Sequence, residues 1–120
     1  MKLQTIQSLY AVWKEDVRPA VVRQYSESDE PALSESWNQF TDAACKEGQI
    51  TGLQYHYCPA DDAPMPDSSD LLDEVDWLLE RLEIKADASE LQDRVWNEQP
   101  IPELDGISAD WKADILAMLD

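Results

Sequence analysis

This chain is poor in positive charge, glycine, histidine and cysteine, and it has no long apolar run. Its 120 residues hold 9 Lys and Arg against 26 Asp and Glu, a formal net charge of −17. A field of that sign repels nucleic acid and anionic membrane surfaces and draws basic partners in. Neither direct nucleic-acid binding nor membrane association is therefore expected. Three glycines leave no material for a phosphate-cradling loop: there is no Walker motif, no G-x-G-x-x-G and no glycine-flanked serine elbow. His56 is the only histidine, so any His-based dyad or triad depends on it. Cys45 and Cys58 are too few for a disulfide framework. Polar Gln4, Thr5, Gln7 and Ser8 interrupt the start of the chain, so no signal peptide is read there. No stretch approaches the roughly 20 apolar residues of a membrane span. A cytoplasmic protein with reduced thiols is the expectation.

An apolar content of 43% is ordinary for a folded chain and is enough for one domain with a single core. The acid is unevenly placed. Residues 1–58 carry 8 acids and 5 bases, residues 59–120 carry 18 acids and 4 bases. The chain divides into a helical half, 1–58, a proline-rich connector, 59–68, and an acidic helical half, 69–120.

Apolar spacing predicts an all-α fold of five to seven mostly short helices. Leu3, Ile6, Tyr10, Trp13 and Val17 lie on one helical face, and Pro19 should break the helix near Val17 or Arg18. A short second piece should turn Val21, Val22 and Tyr25 inward. Asp29 and Pro31 form a helix start, Leu33, Trp37, Phe40 and Ala44 its stripe, and Gly48 its stop. Residues 50–57 suit a short helix capped by Thr51 or a strand; the lack of a pairing strand favours the helix. Asp87 should cap a helix with Leu91, Val95 and Trp96 inward. Ser108 should cap the last one, with Trp111, Ile115 and Leu119 on one face.

The most informative stretch is 67–83. Leu71, Leu72, Val75, Leu78, Leu79 and Leu82 share one arc of a helix. Asp70, Asp73, Glu74, Asp76, Glu80 and Glu83 take the rest, with Arg81 the only base and Trp77 among the acids. Like charges one turn apart repel, so stability alone would not choose this pattern. Carboxylates about 5–6 Å apart imitate phosphate spacing, so this arc fits a Lys/Arg groove made for DNA or RNA.

Other constellations are poorer. Glu47-Gly48-Gln49-Ile50 imitates the middle of an EF-hand loop, but its first, third and last ligand positions hold Ala43, Cys45 and Gln54. Cys45, His56 and Cys58 give one close pair and one stray ligand, where zinc sites use two close pairs. No catalytic residues, no metal site and no cofactor are read.

Trp13-Lys14-Glu15, Val17-Arg18-Pro19-Ala20-Val21-Val22, Gln24-Tyr25, then Pro31-Ala32-Leu33-Ser34-Glu35-Ser36-Trp37-Asn38 and Thr41-Asp42 resemble small proteins encoded by bacteriophages and other mobile elements. The resemblance implies a gene that works in a bacterial cytoplasm. The acidic second half is similar in character, not in motif, to DNA mimics and anti-CRISPR inhibitors. The expectation is a non-enzymatic inhibitor of a basic host defence protein. The competing classes are an antitoxin or immunity partner of one nuclease, a metal-assisted enzyme built on Cys45, His56 and Cys58, and a phage structural adaptor.

Overall fold

Thr5 opens the fold: its backbone is extended and its Oγ1 accepts the Ser8 N–H at 3.0 Å. In the computed structural model, which describes residues 3–26 and 28–119, the helical path then runs from 6 to 24 without a gap. It consists of α1 (Ile6–Val12), a π-turn (Trp13–Val17) and α2 (Arg18–Gln24). The expected break at Pro19 is therefore a bulge. In a regular α-helix the proline ring would strike the carbonyl of Glu15, and position 19 has no N–H to give. Widening the preceding turn by one residue relieves the clash, and the Arg18 N–H bonds the Trp13 carbonyl instead. The part of the two-piece expectation that falls on residues 1 and 2 lies outside the described residues.

Asp29 caps α3 (Glu30–Lys46) by accepting the Ala32 N–H, and Pro31 sits in its first turn. Gly48, at φ +79°, ends it: the N–H of Gln49 bonds the Ala44 carbonyl and that of Gly48 the Cys45 carbonyl. That pair of bonds needs a left-handed residue at 48, which glycine adopts without strain. Residues 50–57 resolve as the short helix α4 (Gly52–Tyr57). Thr51 and Gln54 form a reciprocal capping box at its start.

The connector is without helix but is firmly held. The Trp37 indole donates to the Pro59 carbonyl at 2.9 Å, the Tyr10 hydroxyl to the Asp61 carbonyl at 2.9 Å, and Ser34 to the Asp61 carboxylate at 2.8 Å. After it come α5 (Leu71–Arg81), α6 (Ala88–Trp96), a 3-10 turn (Pro102–Leu104) and α7 (Ala109–Leu119). The fold is all-α; among the described residues there is no strand. Among the described residues no helix is long and apolar enough to cross a membrane.

Two apolar clusters carry the packing. Ile6, Leu9, Trp13, Leu33, Trp37, Ala44 and Ile50 form the first. Leu53 joins Val75, Leu78, Leu79, Leu91, Leu104, Ile115 and Leu119 in the second. The change of cluster thus falls between Ile50 and Leu53, ahead of the connector. Two expected inward residues point out: Tyr25 is 56% exposed and Trp96 64%. Tyr25 is the C-cap of α2, which fully buries none of its residues, and Trp96 is the last residue of α6.

Candidate functional site

α5 starts at Asp70, whose Oδ1 accepts the Asp73 N–H at 2.9 Å. Asp73 in turn accepts the Ser69 hydroxyl at 2.7 Å. Both carboxylates therefore hold the first turn, where the helix dipole also favours them. Asp76 reaches across to α6 and accepts the Ala88 N–H at 2.8 Å. All three are exposed, and each of these bonds engages only one carboxylate oxygen. Glu80 and Glu83 are exposed as well.

This geometry corrects the repulsion argument in part. Asp70, Asp73 and Asp76 are paired with backbone or hydroxyl donors, so their pattern serves folding as well as charge. Glu80 stands apart from that scheme, 3.7 Å from exposed Arg81. Glu83 lies beyond the helix, in left-handed conformation at φ +59°. Its N–H bonds the Glu80 carbonyl while that of Ile84 bonds the Leu79 carbonyl. Glycine is the residue this closure favours. Glu83→Gly is expected to raise stability by about 1 kcal/mol, read as a higher midpoint in urea denaturation.

Glu74 does not belong to the surface. Its side chain is fully buried. It accepts the Ile6 N–H at 2.7 Å, the Ser68 hydroxyl at 3.2 Å, the Gln54 amide and the Gln7 N–H. Ile6 and Gln7 are the first two residues of α1, whose amides have no partner inside the helix. The carboxylate thus caps α1 from a distant part of the chain. Gln54 extends the network: its Oε1 takes the Thr51 N–H at 2.7 Å and its Nε2 also reaches the Gln4 carbonyl at 2.9 Å. Burial raises the Glu74 pKa, and the four hydrogen bonds pull it back only in part.

Trp77 is half-buried and packs against both clusters. The Arg81 guanidinium lies over its ring, 4.7 Å from the centroid. It is a joint between the clusters before it is a surface anchor. The sequence position of Glu74, one turn from both Leu71 and Leu78, is the signal that could have placed it at the core margin.

The soft ligands are not drawn into a centre. Among the described residues, no group of three or more His, Cys, Asp or Glu side chains is placed to hold a metal ion. Burial pushes the Cys58 thiol up to about 12, and the Glu74 charge adds to the shift. The Cys45 thiol is raised too, by burial and then by Asp114 and Asp42. Neither thiol is activated as a nucleophile, since attack requires the thiolate.

A cleft of about 540 Å³ lies where α3, α4 and α7 meet. Sequence reasoning missed it, because its walls come from three separated segments. No family model, no curated protein and no solved structure matches the chain.

Proposed function

We propose that this chain is a non-enzymatic acidic inhibitor that occupies the nucleic-acid groove of a basic bacterial defence protein, such as a CRISPR effector or a restriction enzyme. The observation that carries the reading is the charge of the second half, 18 acids against 4 bases, with exposed carboxylates along α5 at one-turn intervals. Asp70, Asp73, Asp76, Glu80 and Glu83 present oxygens that a Lys/Arg groove would otherwise take from phosphates. Glu74 drops out of the contact surface, and Trp77 contributes only its exposed edge. The setting is a phage or plasmid gene acting in the host cytoplasm.

The test is competition. Purified effectors and restriction enzymes are mixed with the protein, and DNA binding and cleavage are followed before and after DNA loading. Inhibition is expected only when the protein is added first, and it should weaken steeply between about 50 and 200 mM salt. The double variant Glu80→Gln with Glu83→Gln should slow association about threefold to tenfold and leave the melt unchanged within about 0.5 kcal/mol. Inhibition that is insensitive to salt, or equal on an enzyme already holding DNA, would sink occlusion.

A further inference from the structure

The α3–α4–α7 cleft has a floor and a shelf of different chemistry. Buried Thr41 lines it from α3, its hydroxyl already bonded to the Trp37 and Asn38 carbonyls. The shelf is aromatic. The Trp111 and His56 rings line it with centroids 5.0 Å apart, and Tyr55, which is 40% exposed, lines it as well.

Two carboxylates close the opening, Asp110 and Asp114, one turn apart on α7. Asp114 caps α4 by accepting the Leu53 N–H at 3.0 Å, which leaves its other oxygen for the cleft. Its pKa is raised, first by burial and then by the charge of Asp110. Among the described residues, no Lys or Arg ion pair reaches either carboxylate. Nearby Lys46 is held by Asp42 at 2.8 Å. The cleft therefore joins aromatic side chains to a pair of carboxylates with no Lys or Arg ion pair among the described residues.

We infer that this cleft is a docking site for an arginine side chain presented by a basic partner protein. A guanidinium is the group that answers both features: its flat face stacks on Trp111 or His56, and its edge donates two parallel hydrogen bonds to carboxylate. A lysine ammonium would meet the charge but not the planar shelf. The same chemistry is already used inside the chain, where Arg81 lies over Trp77. The site shares no residue with the acidic arc of α5, so the two stand or fall separately.

The probes are a capped Gly-Arg-Gly peptide and its citrulline counterpart, titrated into the ¹⁵N-labelled chain. The arginine peptide should give saturable shifts at the Trp111 indole N–H and at His56. It should bind about tenfold more tightly than the neutral citrulline peptide. Asp110→Asn, an exposed change, should weaken it about fivefold, and Asp114→Asn should do so while its amide oxygen still caps Leu53. Equal binding of the two peptides, unchanged affinity in Asp110→Asn, or shifts centred on α5 would overturn the inference. So would tighter binding of free arginine than of the capped peptide, which would make the cleft a metabolite site.

Discussion

Glu74→Ala is expected to cost about 4 kcal/mol of stability, a large share of what a domain of this size possesses. The substitution leaves the Ile6 and Gln7 amides, the Ser68 hydroxyl and the Gln54 amide facing an empty space that was fully buried. Unsatisfied buried donors cost more than the hydrogen bonds contribute when made. Urea denaturation checks the figure, and a loss under about 1 kcal/mol would mean that water replaces the carboxylate. Glu74→Gln keeps the volume but turns an NH2 towards donors, so about half the loss is expected.

The same network sets a pH dependence. The folded pKa of Glu74 is raised above its ordinary 4.5. For an acid shifted upward, the linked stability is fully present below the ordinary value and is lost as pH rises through the folded pKa. Asp114 shifts in the same direction. The wild type should therefore gain stability on mild acidification, and its margin over Glu74→Gln should narrow as pH rises. A margin that widens with pH would reverse the assigned direction.

What the sequence disclosed was local. Asp29, Thr51, Asp87 and Ser108 all cap helices, because a cap is written within three residues of its partner. Gly48 stops α3 for the same local reason. Pro19 disclosed the place of a disturbance but not its form, since a π-turn and a break relieve the same clash. The site was harder to read. Helical periodicity put Glu74 with the acids because it ranks residues by polarity, and nothing nearby reveals that α1 supplies its donors from 68 positions away. Asp76 was counted as free charge because its partner, Ala88, lies on another helix. Long-range satisfaction of polar groups is a property of packing, and one sequence does not display it.

Trp77→Ala is the second large effect, at about 3 kcal/mol of folding stability. The indole touches both apolar clusters, so truncation opens a void at their junction and also removes the surface on which Arg81 rests. Its half-exposure keeps the cost towards the lower end of the range for large aromatics. The form of the transition should change too. With Trp96 and Trp111 replaced by Phe, the fluorescence of Trp13 and Trp37 reports on the N-terminal cluster, while far-UV dichroism follows all the helices. In the wild type the two curves should coincide; with the joint weakened they should separate. Trp77→Phe, which refills most of the volume, should bring them back together. A variant that melts like the wild type but releases a basic partner faster would instead return Trp77 to the binding surface.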